Sequence, residues 1–540
     1  MSKLARLVPR AMVYAALATW RIGMPACLHS QSPSRLDLGG VAEVGEAERY
    51  LRLLQLTDNT ALVAWTSQPL SPARATANGI VGAHPWASRF SPSDSSRRWR
   101  WLRPSARVVL NSAYPVEDAI GPVWAGKGVT GTLQWGVMTS WRAVTLQLAP
   151  IAFLSQNAAF PLAPNGDGGV GRYRDARFPG AIDLPQRFGD GRYARLDAGT
   201  STLSLDLPFV SVGITTAPQR WGPSLEYPLL LGPNAGGFPS YYVSTARPLD
   251  ARIARIQARL IGGLLTQSEF SPAKPGETRR TVTGAVMSMM PSGVDGLEVG
   301  VARMFETLAP LTLNSAITPL TVRKTAGANS IDNSPGENQT ASAFFRWALP
   351  SAGVEFYGEW YREDYSGSLR RFIFIPDDLS GFTLGFQRVL ARSGTMRRVV
   401  RFEMTNAELS HQARYNRPPA TEPFPIYLHG EVVQGHTLNG LLLGSPEAYG
   451  GAGLRLSLDS YNERGRQTIA FERALRGDWL PTLPPAMHPD VTYALRWETL
   501  RFVGTREMGI TVLPMIDLNR NLDPNANRFN LHVVLTQRGW

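Results

Sequence analysis

The chain is nearly free of cysteine: Cys27 is the only one in 540 residues, so no intrachain disulfide holds the fold together. Charge is also sparse, at 18% of residues against the usual quarter. No stretch approaches 18 consecutive apolar residues, which excludes a transmembrane helix but not a membrane protein. In lipid the alternative to a helix is a closed barrel, whose alternating strands escape hydropathy windows. There is no block of Lys and Arg. The net charge of +12 is mostly arginine spread between apolar segments, which argues against a nucleic-acid domain and for another anionic partner, a membrane surface or an acidic glycan. Catalytic signatures are missing too, with neither G-x-S-x-G nor H-E-x-x-H present.

What is present favours strands and turns. Gly 51, Pro 41, Trp 14 and Tyr 16 suit turns and aromatic strands better than helices. The chain opens with Lys3, Arg6 and Arg10, then the apolar run Ala11 to Trp20 and small residues at Pro25 and Ala26. This predicts a secretory signal over residues 1–30, because ten residues cannot span about 30 Å of hydrocarbon. Met24-Pro-Ala-Cys27 is a degenerate lipoprotein signal, the alternative for this end. Residues 31–105 are expected to form a periplasmic N-terminal segment leading into the barrel. Helix is expected over Ala42 to Leu54, where Ala47, Tyr50, Leu51 and Leu54 share a stripe.

From about Arg107 the period becomes two, so residues 106–540 read as an outer-membrane β-barrel with long extracellular loops. Leu454, Leu456 and Leu458 alternate with Arg455, Ser457 and Asp459. Leu203, Leu205, Leu207 and Phe209 share a face, as do Phe529, Leu531, Val533 and Leu535. In Val354 to Glu363, Phe356 and Trp360 lie opposite Glu355, Tyr357, Glu359, Tyr361 and Glu363. A soluble sandwich also alternates, but its core could not bury three glutamates on one strand face unpaired. Polar connections at 165–191, 271–279, 326–340 and 411–423 suit one rim of long loops. The aromatic C-terminal Trp540 agrees with a barrel, although Arg538 disturbs the phase.

Several motifs fail on context. Gly166 to Gly171 matches G-x-G-x-x-G inside a polar loop with no helix after it. Gly121 to Lys127 lacks the Ser or Thr of a phosphate loop, since Gly128 follows. Asp517, Asn519, Asn521 and Asp523 begin like a calcium loop, but Leu522 and Arg528 occupy the glycine and glutamate positions. His429, Glu431 and His436 do not share one strand face and would need a third ligand to hold zinc. No cofactor and no metal is expected. The face Glu355/Tyr357/Glu359/Tyr361/Glu363 is a candidate lumen wall. Its carboxylates either pair with arginines on neighbouring strands or, with the tyrosines, contact sugar rings.

The sequence resembles the Wzi family of capsule assembly proteins. The likeness rests on Asn111-Ser-Ala-Tyr-Pro115 with Val123-Trp-Ala-Gly-Lys127, on Gln156-Asn-Ala-Ala-Phe160, and on Gln219-Arg-Trp-Gly-Pro223 with Gly232-Pro-Asn-Ala-Gly236. It continues in Tyr357 to Asp364, Gly381-Phe-Thr-Leu-Gly385 and His429 to Ser445, from about residue 42 onward. The resemblance implies an all-β fold: a transmembrane antiparallel barrel of about 18 strands with a small helical element at the periplasmic end. It also implies a non-enzymatic, lectin-like monomer in the outer membrane that holds capsular or other surface polysaccharide. Ser224 stands where similar sequences often have glycine, so that loop is given no fixed role.

Capsule polymers are often acidic. Arg172, Arg174 and Arg177 are candidates to pair with their carboxylates, and Tyr173 and Tyr193 to stack on sugar faces. The competing readings are a porin or transporter, an outer-membrane hydrolase using His429 or His436, and a soluble secreted β-protein.

Overall fold

The computed structural model describes residues 46–57, 62, 64–68, 84–87, 99–116, 121–321, 336–363, 369–393, 396–410, 425–477 and 488–539. The expected signal over 1–30, Cys27, residues 42–45, 326–335, all of 411–423 and Trp540 lie outside the described residues.

Among the described residues one helix, α1 (Glu46–Gln55), precedes the barrel. The strands are β1 (Trp99–Asn111), β2 (Gly128–Trp141), β3 (Val144–Leu148 continued by Ile151–Ser155), β4 (Tyr193–Asp197 continued by Thr202–Asp206), β5 (Val210–Thr215) and β6 (Ser240–Thr245). There follow β7 (Ala254–Thr266), β8 (Arg279–Pro291), β9 (Leu297–Thr307), β10 (Glu337–Leu349), β11 (Val354–Glu363) and β12 (Ser380–Ser393). The last six are β13 (Met396–Asn406), β14 (Ala452–Asn462), β15 (Gly465–Arg476), β16 (Asp490–Val503), β17 (Arg506–Leu518) and β18 (Arg528–Arg538). Neighbours pair antiparallel throughout, and β1 closes on β18 with Ser105 opposite Arg538 and Asn111 opposite His532. The result is a closed barrel of 18 strands, with no open edge. It begins at Trp99, ahead of residue 106, because Trp99 and Trp101 already face outward on β1.

Turns on one rim are short: 142–143, 463–464 and 504–505 are two residues each. The opposite rim carries 156–192, 216–239, 308–336 and 407–451. In barrels of this kind the short-turn rim faces the periplasm. β3 is interrupted at Pro150, which has no N–H to give the ladder; the facing break in β4 holds Gly199 at φ +58° beside Ala149.

The alternation follows the sequence. Leu203, Leu205, Phe356, Leu456, Leu458 and Phe529 point outward, while Ser457, Asp459 and His532 are buried inside. Trp99, Trp101, Trp141 and Trp347 lie on the outside near the short-turn rim, where an aromatic girdle meets the headgroups. The outer belt of apolar side chains would be untenable in water and suits hydrocarbon.

Inside, α1 lies across the periplasmic end. Tyr50, Leu51, Leu53 and Leu54 pack with Trp65 and Trp86 against Ala348, Val389, Val399, Tyr461 and Phe502 of the wall. Its polar positions are tied down as well: Glu46 to Arg466 at 2.7 Å, Arg49 to Glu226 at 3.1 Å and Arg52 to Glu355. The sequence suggests a one-sided amphipathic helix. In place, Glu48 and Arg52 are buried too, because the wall surrounds the helix.

Leu495, outward near the middle of β16, tests the lipid-facing belt. Leu495→Arg should lower stability in bilayers by about 2–4 kcal/mol, measured by reversible denaturant unfolding in liposomes, with a smaller loss for charges near either rim.

Candidate functional site

The inward glutamates bind the protein's own interior segments. Glu355 receives Arg346 Nε of β10 at 2.9 Å, Arg52 Nε of α1 at 2.8 Å and Gln387 Nε2 at 3.3 Å. Arg346 reaches on to Gln55 at 2.9 Å, and Arg52 donates to the carbonyl of Pro223 at 2.6 Å. Tyr357 donates to Glu403 at 2.6 Å while the Arg52 guanidinium sits 4.8 Å from its ring centre. Glu359 accepts from the backbone N–H of Leu229 at 3.3 Å. Glu363 accepts from the Tyr427 N–H and from Asn338 at 3.2 Å, and Tyr361 meets the Tyr427 ring edge-on at 5.6 Å. All five candidate wall residues are therefore buried. Among the described residues Glu355 pairs with an arginine of a neighbouring strand, while Glu359 and Glu363 accept N–H groups of segments that enter the lumen.

Those segments are 216–239 and 425–451. Glu403 gathers the first: Ser224 Oγ at 2.5 Å and the N–H groups of Leu225, Glu226 and Tyr227 at 2.9, 2.9 and 2.7 Å. Ser224 also accepts from Tyr227 N–H at 2.9 Å, so this serine is a turn anchor. Gly222 has φ +101°, and a Cβ there would lie 2.7 Å from Glu359 Oε2, so that turn admits only glycine. Glu298 holds the N-terminal stretch through Trp65 N–H at 2.9 Å. Glu306 joins Arg280 at 2.6 Å and His436 Nδ1 at 2.6 Å, while His436 Nε2 meets the Leu230 carbonyl at 2.6 Å. His429 lies apart, its Nδ1 accepting from the N–H of Val432 at 3.0 Å. Among the described residues no cluster of His, Cys, Asp and Glu could hold a metal ion.

At the extracellular rim the five loop candidates divide. Arg172 is half exposed, paired with Asp190 at 2.6 Å and lying 4.7 Å over the Tyr173 ring. Tyr173 is buried against Phe270, and Arg174 Nε donates to the Phe270 carbonyl at 3.1 Å. Arg177 turns the other way, toward Asp175, Tyr449 and Asp490, and burial lowers its pKa below the ordinary guanidinium value. Asp175 shapes this turn by accepting the N–H groups of Arg177 and Phe178 at 2.8 and 2.6 Å and Tyr449 Oη at 3.3 Å. Tyr193 stacks on Phe188 at 4.5 Å, and Phe188 reaches Phe270 at 5.9 Å. A chain of rings thus joins Tyr193 to Tyr173 beneath the loop. Phe188 and Phe270 escaped sequence reasoning because neither belongs to a motif; Trp124, which packs 4.9 Å from Phe188, lies in the Val123 to Lys127 stretch, where its type alone gave it no role. The G-x-G-x-x-G loop folds into a single 3-10 turn, Gly169–Tyr173, that positions Arg172. Arg476 and Arg520 add two more cations at this rim, the latter 3.7 Å over the Tyr114 ring.

The closed wall and its apolar belt define an outer-membrane β-barrel. Its fold is similar to that of Wzi from Escherichia coli, an outer-membrane protein involved in group 1 capsule assembly and described as a carbohydrate-binding β-barrel. The two align with a TM-score of 0.59 over 92% of this chain and 99% of that one, at 14% identity. OccAB2 of Acinetobacter baumannii aligns over 81% of this chain and 98% of its own, with a TM-score of 0.39 at 10% identity. A BenF-like porin of Pseudomonas fluorescens aligns over 81% and 97%, with a TM-score of 0.39 at 9% identity. No family model matches the sequence, and no curated protein does. The chain has a Wzi-like fold and its place is the outer membrane.

Glu48 of α1 offers a test of how the helix is seated. Its carboxyl is buried without a hydrogen-bond partner among the described residues, and burial pushes its pKa from 4.5 up to about 8 against the pull of Arg220. The folded chain then holds a proton that the unfolded chain releases near its ordinary value. Stability should fall as pH rises from 4.5 to about 8 and level off above it. In Glu48→Gln that part of the slope should vanish, so the gap between variant and parent Tm widens from pH 5 to pH 9.

Proposed function

We propose that this protein binds surface polysaccharide on its extracellular loop crown and helps retain or assemble it at the cell surface, without catalysing a reaction. The supporting observation is the filled lumen. The inward carboxylates are occupied by α1 and by segments 216–239 and 425–451, so the face left to a large external ligand is the crown. The fold likeness to a carbohydrate-binding barrel agrees with this. Within the crown, Arg172 and Arg174 lie on one side of the 156–192 loop and Arg177 on the other. Tyr173 and Tyr193 belong to the ring stack that stiffens the loop beneath them. An acidic polymer laid across these cations gains charge-assisted hydrogen bonds, with affinity that weakens as salt rises. The aromatic residues set the height and spacing of the cations. The same reading makes the protein a monomer with lipid around it and residues 1–30 its export signal.

Transport is the competing reading and requires both inserted segments to leave the lumen. Reconstituted in a planar bilayer, the protein should give no steady conductance; an open, ion-conducting lumen would overturn the proposal. The binding arm uses Arg172→Glu/Arg174→Glu/Arg177→Glu with immobilised acidic capsular polysaccharide. At about 0.5 kcal/mol for each lost surface contact, binding in low salt should weaken roughly tenfold. Unchanged binding would remove this loop from the site.

A further inference from the structure

Part of the loop between β9 and β10 folds down the outside of the barrel. On β8, Met287 and Met289 point outward, 48% and 41% exposed, and period two places Thr281 and Thr283 on the same face. Yet these two are only 4% and 3% exposed. On β9, Val301 is 53% exposed, whereas Phe305 on the same face is 2% exposed. On β10, Phe345 is 39% exposed and Gln339 only 7%. The register sets Thr283 opposite Phe305 and Phe305 opposite Gln339, so the covered residues form one row across three strands just below the extracellular rim.

The cover includes a helical turn, α2 (Leu313–Ile317), and the 3-10 turn that follows it, Thr318–Leu320. Thr312 starts α2 with a reciprocal cap, its Oγ1 accepting the Ser315 N–H at 3.1 Å and its own N–H reaching Ser315 Oγ at 2.7 Å. Thr318 and Pro319 face the wall and are buried, and the segment lies against both β8 and β9. Arg303, one row deeper on the outer wall, ties it down by donating to the Thr321 carbonyl, with its guanidinium 4.5 Å over the Phe305 ring. Small residues flank Arg303 on both sides, Ala285 on β8 and Ala341 on β10, which leaves room for the long side chain to lie flat. The outermost residues of the flap are apolar: Ile317 is 52% exposed and Leu320 67%.

We propose that segment 312–321 is an interfacial flap, seated at the boundary between headgroups and acyl chains of the outer leaflet, with Ile317 and Leu320 inserted into lipid. Continuity decides the occupant. The next outward row, Met287, Val301 and Ala343, belongs to the belt that already faces hydrocarbon, and Ile317 and Leu320 extend that belt over the polar row of Thr283 and Gln339. Two side chains offer far less area than the roughly 800 Å² per partner of a stable protein interface, so a second copy of the chain is disfavoured. Arg303 reaches toward the rim while its stem stays in the apolar layer, as cationic side chains do at this depth. The flap shields the outward hydroxyls of Thr281 and Thr283 on β8 at a level where lipid cannot hydrogen-bond them.

The test places a fluorophore on Leu320→Cys in a full chain that also carries Cys27→Ser, reconstituted in liposomes with or without bromine on the lipid acyl chains. A control label goes on Lys274→Cys, an exposed position in the 267–278 loop. Interfacial burial of about 5–10 Å brings the Leu320 label among the bromines, so it should lose about half its emission there and resist iodide from the water. The Lys274 label should show the reverse. The proposal is overturned if iodide quenches the Leu320 label and bromine does not. It is equally overturned if the label ignores bromine but self-quenches as the protein-to-lipid ratio rises, which would mean a contact between copies.

Discussion

A carboxylate pointed into a closed wall must find donors; Asp459, Glu472 and Glu498 find them in wall arginines, while a second group draws on segments that are not part of the wall. Glu298, Glu359, Glu363 and Glu403 all accept backbone N–H groups of inserted chain, and Glu355 joins a wall arginine to one from α1. Each such carboxylate would be a costly buried charge without its segment, and each segment would carry orphaned N–H groups without its carboxylate. Wall and contents are therefore two halves of one hydrogen-bonding scheme. Removing one partner of a buried ion pair such as Arg52–Glu355 costs about 3–5 kcal/mol, which makes the filled lumen part of the fold rather than a removable stopper.

The same strand face serves different masters along its length. Near the periplasmic rim the interior is a mixed core, with Tyr50, Trp86, Tyr461 and Phe502 packed beside the ion pairs of α1. Nearer the outside it becomes apolar, where Leu229, Leu230, Leu231, Tyr427, Leu441, Leu442 and Leu443 meet Val282, Ile261 and Met304. The polar grip and the apolar filling together hold the extracellular loops from below, which lets a loop such as 156–192 keep its arginines at fixed positions on a ring-stacked base.

The wall was legible from period two alone. Leu454, Leu456 and Leu458 against Arg455, Ser457 and Asp459 require one wet and one greasy side, and the barrel places them so. The helix was legible in position, but the burial of Glu48 and Arg52 was not, because a stripe pattern assumes one free face and the lumen leaves none. The glutamates of β11 announced an inner surface; their partners were hidden, since a backbone N–H looks the same in every sequence. Nothing in the composition of 216–239 distinguishes a loop that dives inward from one that stands outside. The stretches quoted for the Wzi resemblance include several of these buried positions: Trp221, Tyr357, His436 and Leu443 are all internal. Arg172, Arg174 and Arg177 read as one patch in sequence, whereas a turn built on Asp175 sends the third away from the first two.

The closure of β1 against β18 also has a temporal side. Glu298, Glu355 and Arg466, the wall partners of the N-terminal stretch, come from strands made long after α1, and Arg52 is separated from Glu355 by 303 residues. Contacts of such range form late and slowly. Closing the seam fixes the ring in which those wall partners stand, and the periplasmic mouth, where α1 lies, is the way in for a helix still outside. The N-terminal stretch thus acts as a cork whose seat is cut only when the last strand meets the first.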